Sequence, residues 1–153
     1  CRFSRTDVPT VTRPEDPFVV GKARVMRDGS DLTLVGCGIM VAKCLEAADA
    51  LAKEGVHARV INLSTVKPLD VTALDKAARE TGGIVTAEEH TVVHGIGSAV
   101  ASAVVQSHPV PMAFVGVQDV FGESGEADEL LRKYGLTSEK IVEAARAVLK
   151  RKQ

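Results

Sequence analysis

The sequence predicts an α/β fold: a three-layer αβα sandwich of about five strands and five helices, mostly parallel, with one antiparallel strand from an N-terminal hairpin. Strand-like aliphatic runs alternate with amphipathic helical stretches, the order that builds a parallel sheet covered on both faces. The 153 residues are 45% hydrophobic yet only 3% aromatic, with no tryptophan. Such a core must be made of Val, Leu, Ile and Ala, the mixture that suits buried parallel strands. Helix-capping residues also punctuate the pattern where the alternation requires helices to start and stop.

The elements follow in order. Residues 18–26 have strand character, and Arg27-Asp28-Gly29-Ser30 is a turn before a second strand at 31–36. An Asp-Gly between two strand patterns signals a hairpin, so these two strands are expected as antiparallel neighbours. A helix at 39–54 follows. Val41, Cys44, Leu45, Ala48 and Leu51 fall on one face, Lys43, Glu46, Asp49 and Lys53 on the other, and Gly55 is placed to end it. A strand at 56–63 leads to Pro68-Leu69-Asp70. Asp70 is placed as the N-cap of a helix with Val71, Leu74, Ala77 and Ala78 inward, stopped by Gly82-Gly83. A strand at 84–87, a helix ending near 106, a strand at 112–117 and helices at 126–133 and 137–149 complete the chain, Thr137 capping the last.

Composition excludes several classes of function. With 19 basic and 20 acidic residues the net charge is −1, so no basic field exists to attract nucleic acid or an anionic membrane. Aromatic stacking platforms for single strands are missing too. Cys1, Cys37 and Cys44 form an odd set without a Cys-x-x-Cys pair. That pattern suits reduced thiols in a cytoplasmic protein rather than a disulfide framework or zinc site. Cys37 and Cys44 are expected as small buried hydrophobes. No apolar run approaches the ~20 residues needed to span a bilayer, and no signal peptide is visible. The opening Cys1-Arg-Phe-Ser-Arg5 lacks Met and reads as the tail of something longer. Residues 6–17 hold Pro9, Pro14 and Pro17, linker chemistry. The folded domain is therefore expected to span 18–153.

The densest group of chemically capable residues is Glu88-Glu89-His90-Thr-Val-Val-His94-Gly95-Ile96-Gly97-Ser98, at a strand-to-helix junction of the kind where α/β folds place their sites. His90 and His94 are four apart, but no carboxylate lies between them as in a His-Glu-x-x-His helix, and glycines follow at once. Gly95-x-Gly97 could cradle a phosphate on backbone N–H groups. The third glycine of the dinucleotide fingerprint is absent, however, since position 100 is Val, and two glutamates would repel an anion. The alternative is that the glycines permit a tight turn and close helix packing while Glu88, Glu89, His90 and His94 form a solvent-exposed contact surface toward another domain or subunit. Gly36-Cys37-Gly38 likewise lacks its third glycine and the acidic ribose ligand. Gly122-Glu-Ser124-Gly125 fails the nucleophile-elbow pattern because Glu126 holds the last position. No catalytic or metal-binding residue is assigned. Arg5, at the end of an apolar stretch, is by itself a surface or ion-pair residue.

Together these blocks resemble the transketolase C-terminal domain. Val60-Ile-Asn-Leu-Ser-Thr-Val-Lys67-Pro68-Leu69-Asp70, Gly83-Ile-Val-Thr-Ala-Glu88-Glu89-His90 with Gly95-Ile-Gly97-Ser-Ala-Val100, Gly116-Val-Gln-Asp119-Val-Phe121-Gly122-Glu-Ser-Gly125 and Lys133-Tyr134-Gly135-Leu136-Thr137 carry the likeness in order along the chain. Deoxyxylulose-phosphate synthase and 2-oxo-acid dehydrogenase β subunits share this domain and are the alternatives, as is a stand-alone interaction or regulatory module. The Lys-Pro-Leu-Asp and Phe-Gly-Glu-Ser-Gly blocks favour transketolase. The resemblance implies a homodimeric thiamine-diphosphate enzyme of the pentose phosphate pathway that moves a two-carbon ketol unit between phosphosugars. The cofactor and its divalent metal, Mg or Ca, would be held by N-terminal diphosphate- and pyrimidine-binding domains on the same chain or a partner subunit, and none by this fragment, which would be inactive alone. Residues 1–5 would be the end of the pyrimidine-binding domain. There a Ser-Arg at the strand exit binds substrate phosphate, which would make Arg5 the phosphate anchor.

Overall fold

The computed structural model describes residues 7–152. Ten elements alternate as expected: β1 (Arg24–Arg27), β2 (Leu32–Gly36), α1 (Met40–Ala52), β3 (Ala58–Asn62), α2 (Val71–Thr81), β4 (Ile84–Thr91), α3 (Ile96–Ser107), β5 (Met112–Val117), α4 (Ala127–Lys133) and α5 (Ser138–Arg151). The strands form one sheet in the order β1-β3-β2-β4-β5. β3, β2, β4 and β5 are parallel, and β1 lies antiparallel on the outer side of β3. Helices α1 and α5 cover one face, α2 and α3 the other. Among the described residues no helix is long and apolar enough to cross a membrane.

The alternation of side chains along the strands divides the core. In β2, Leu32 and Leu34 turn toward α1 and α5, while Val35 turns toward α2 and α3. Thr33 shares the Val35 face and is fully buried, so its hydroxyl needs a partner. Thr81 of α2 supplies one at 2.8 Å. All five residues of β2 are buried, as expected of a strand covered on both faces.

The caps fall where the residue types put them. Asp70 accepts from Ala73 N at 3.2 Å at the start of α2, and Thr137 accepts from Lys140 N at the start of α5. After α1, Gly55 N donates to Ala52 O and Val56 N to Leu51 O, with Gly55 at φ +78°. This is a Schellman ending, whose left-handed residue glycine adopts without a Cβ penalty. Cys44 is fully buried, and burial pushes its thiol up to about 12, so it behaves as a small hydrophobe. Cys37 departs from that expectation: it is only half-buried, at the carboxyl end of β2.

The predicted hairpin does not form. Strand β2 is paired in parallel on both sides, with β3 and with β4, so no edge is left for β1. The chain instead carries β1 past β3 and pairs Arg24 with Asn62 and Val25 with Ile61, the register slipping between Val25 and Arg27. The connection is fixed by Asp31 N donating to His57 O at 3.0 Å and His57 N donating to the Asp31 carboxylate at 2.6 Å. Gly29 crosses so close to the start of β3 that a Cβ there would meet the backbone of His57, Ala58 and Arg59. Residues 18–23 are not strand, and Phe18, Val19 and Val20 are exposed.

Residues 7–23 have neither helix nor strand and are tied to the carboxyl end of β3. Asp16 accepts from Arg13 N at 2.7 Å and pairs with Arg24 at 2.5 Å. The Arg24 guanidinium holds the Asp16 carboxyl down to about 2. Asp70 uses its second oxygen to take Ala23 N at 3.0 Å, so one buried carboxylate caps α2 and anchors the lead-in.

Candidate functional site

An open parallel sheet opens its crevice where successive crossovers leave on opposite faces, outside the carboxyl ends of the strands. Here α1 follows β2 on one face and α3 follows β4 on the other. The crevice therefore lies between the carboxyl ends of β2 and β4, flanked by residues 37–39 and 92–95.

β4 runs to Thr91, four residues further than the sequence pattern suggests, so Glu88, Glu89 and His90 are strand residues rather than loop. Its register against β5 becomes irregular between Ala87 and Thr91. Glu88 is 1% exposed. Its Oε2 accepts from Ile96 N at 2.6 Å and its Oε1 from Gly97 N at 2.8 Å. These are the first-turn N–H groups of α3, which has no N-cap side chain of its own because Gly95 stands there. A helix N-terminus carries partial positive charge and orphan donors, and an anion is its natural partner. The donors that would cradle a phosphate are already taken by the chain's own carboxylate. Glu88 is thus corrected from an exposed contact residue to a buried helix anchor.

The neighbouring glycines make room for it. A Cβ on Gly95 would fall on the Glu88 carboxylate. One on Gly116 would press on His90 O at 2.9 Å and Glu88 Cγ at 3.2 Å, and one on Gly97 would meet Thr86 Oγ1 and Phe114 Cδ1, each at 2.9 Å. Close packing of α3 on β4 and β5 is therefore what these glycines provide.

Glu89, His90 and His94 are exposed on this edge. His90 Nδ1 lies 3.0 Å from Thr91 O. His94 sits at φ +60°, a left-handed conformation uncommon for a residue with a Cβ. Its N–H donates to Ser98 Oγ at 3.1 Å, and that hydroxyl donates to Val92 O at 3.0 Å. Among the described residues no group of three or more His, Cys, Asp or Glu is arranged to hold a metal ion.

The other motifs are structural. A Cβ on Gly36 would meet Met40 O and Val41 Cα at 3.0 Å, so glycine lets α1 start hard against β2. Ser124 is exposed in the loop between β5 and α4, beside Glu123, which pairs with Lys133 at 2.6 Å. A nucleophile elbow needs a sharp strand-to-helix turn, and this loop runs from Gln118 to Glu126. Arg5 lies outside the described residues. Two features escaped the sequence pattern: the capping role of Glu88, and the exposure of several large apolar residues, Phe121 foremost, in segments at the carboxyl end of the sheet. The glycine at the N-cap of α3 was the one available signal for the first, since it leaves that helix without a local cap.

Residues 21–141 match the family model described as transketolase, C-terminal domain. The 6-deoxy-6-sulfo-D-fructose transketolase subunit SqwH of Clostridium sp. (strain MSTE9) is 45% identical over 151 residues, 99% of this chain and 47% of that protein. An apulose-4-phosphate transketolase subunit of Phocaeicola vulgatus is 38% identical over 98% of this chain and 48% of its own length. A split-gene transketolase solved as an inactive beta4 tetramer superposes with a TM-score of 0.94 at 47% identity, covering 97% of this chain and 49% of that one. The chain spans about half the length of the curated relatives it matches. On its fold, its ordered motifs and these matches, the chain belongs to the transketolase C-terminal domain family.

Proposed function

We propose that this chain supports ketol transfer as the C-terminal domain of a thiamine-diphosphate transketolase without itself holding the cofactor. The observation that carries this is Glu88. Of the two helix ends at the crevice, where this fold class would seat a diphosphate, that of α3 is filled by an internal carboxylate. On this reading a diphosphate has no place at the α3 helix end, and among the described residues no group of three or more His, Cys, Asp or Glu is arranged to hold its Mg or Ca ion. When bound elsewhere, thiamine diphosphate supplies the carbanion stabilisation that ketol transfer needs. Diphosphate- and pyrimidine-binding domains, on the same chain or a partner subunit, would bind it in a homodimeric enzyme acting on phosphosugars in the cytoplasm. That the two relatives are subunits, and that the solved beta4 tetramer is inactive, supports such a division of labour. Glu89, His90 and His94 then serve as contacts toward those domains or the dimer mate.

Arg5 is the residue of this chain that we assign to substrate, as the phosphate anchor. A guanidinium grips phosphate through two parallel hydrogen bonds. Arg5→Ala in the full-length enzyme is expected to raise KM for phosphorylated sugars roughly 10- to 100-fold, the loss of one charge-assisted contact of about 1.5–3 kcal/mol. KM for an unphosphorylated donor should barely move. Equal effects on both substrates would remove Arg5 from the role.

A further inference from the structure

The two ends of the sheet differ in chemistry. Among the described residues, the amino-end connections at 28–31, 53–57 and 82–83 expose no large hydrophobic side chain. The carboxyl end exposes Phe18 (69%), Val20 (67%), Val66, Val93, Val120 and Phe121 (98%), running from the lead-in through the loops after β3, β4 and β5. Large apolar side chains gathered at one end of the sheet mark that end as the face for a partner. The loops that carry these tips are anchored. Phe121 O accepts from the Tyr134 hydroxyl at 3.3 Å, Val93 N donates to Thr91 Oγ1 at 3.3 Å, and the Glu88 bonds hold the end of the 92–95 loop. Apolar side chains on a preorganised frame lose little entropy on docking.

The course of the chain selects the occupant. Residues 12–24 lie at the carboxyl end of β3: Gly21 abuts Pro68, and Ala23 is tied to Asp70. Anything joined upstream is therefore delivered to this end of the sheet. Residues 7–17 have no helix or strand, and a segment of that length reaches at most about 40 Å. A preceding domain would be held there at millimolar effective concentration. The curated relatives are about twice as long as this chain. Resting on the proposed function above, we infer that the carboxyl end of the sheet, with Phe121 as its most exposed apolar anchor, docks against the pyrimidine-binding domain of the intact enzyme. Buried aromatic anchors of this kind carry most of the energy of such contacts.

The test uses the full-length subunit carrying this sequence, with a specific protease site inserted between Glu15 and Asp16. After cleavage the two halves of the wild type stay together on size exclusion. Phe121→Asp weakens their association roughly 30-fold, the loss expected for a hot-spot aromatic. Val105→Asp, on an exposed position of α3 away from this end, leaves it unchanged. Thermal melting of the 153-residue chain is the same with and without Phe121→Asp, which separates docking from folding. Separation of the Phe121→Asp halves supports the docking even if the full-length enzyme proves inactive in ketol transfer, which would fell only the catalytic assignment. Equal association of wild-type and Phe121→Asp halves overturns the docking. So does a dimer of the isolated chain that Phe121→Asp abolishes, since that gives the surface to a second copy.

Discussion

Glu88→Ala is expected to lower the melting temperature of this chain by roughly 6–12 °C, which corresponds to about 3 kcal/mol for a domain of this size. The side chain makes two short charge-assisted bonds to the first turn of α3 from a position 1% exposed. Its removal leaves two buried donors without a partner and a void among Gly95, Gly116 and Ile96. Each such orphaned group costs about 1–3 kcal/mol. Glu88→Gln should cost about 2 kcal/mol, because one amide oxygen can still accept while the NH2 group faces the second N–H. Differential scanning calorimetry of the three proteins checks the order wild type, Gln, Ala. A Glu88→Ala protein that melts within about 2 °C of wild type, under 1 kcal/mol on the same scale, would mean that α3 is held by its apolar face alone.

Gly29→Ala should be nearly as damaging, for a different reason. The added Cβ meets backbone atoms of His57, Ala58 and Arg59, which cannot rotate away as a side-chain tip can. Overpacking usually costs about 1–3 kcal/mol, and a backbone obstacle puts this case at about 3. Because the clash lies at the start of β3, the pairing of β1 on β3 should loosen first, visible as faster hydrogen exchange at Val25 and Ile61. Gly55→Ala is the matched comparison. Its Cβ has open space around it, but its φ is +78°, so its cost is the left-handed penalty alone, about 1 kcal/mol. If the two substitutions cost the same, the close crossing at Gly29 is not what fixes β1.

Both predictions sit where the sequence was least legible. Local chemistry was readable: Asp70, Gly82 and Thr137 cap the helices their residue types suit, and β5 occupies the residues its apolar run marks. Asp28-Gly29 carries the same local signal as a hairpin turn. What overrides it is non-local, since β2 is claimed on both sides by β3 and β4, a choice no short window contains. Glu88 was misplaced for a related reason. Two adjacent glutamates and two histidines look like one polar cluster, yet the strand continues through Glu88, Glu89 and His90 and ends before His94. Its register sends Glu88 inward to α3 and leaves Glu89 and His90 outside. The donors it satisfies lie eight and nine residues away. The ordered motif blocks, by contrast, pointed to the family that the matches show, because they reflect the whole chain rather than one junction.

We propose that this domain belongs to a thiamine-diphosphate enzyme and leaves the cofactor to other domains, the anion-binding end of α3 being occupied by Glu88. Isothermal titration of thiamine diphosphate with Mg2+ into the 153-residue chain tests it most directly. The predicted result is no saturable heat, meaning affinity weaker than about 1 mM. One-to-one binding at micromolar concentration would contradict it, above all if Glu88→Gln changed the affinity.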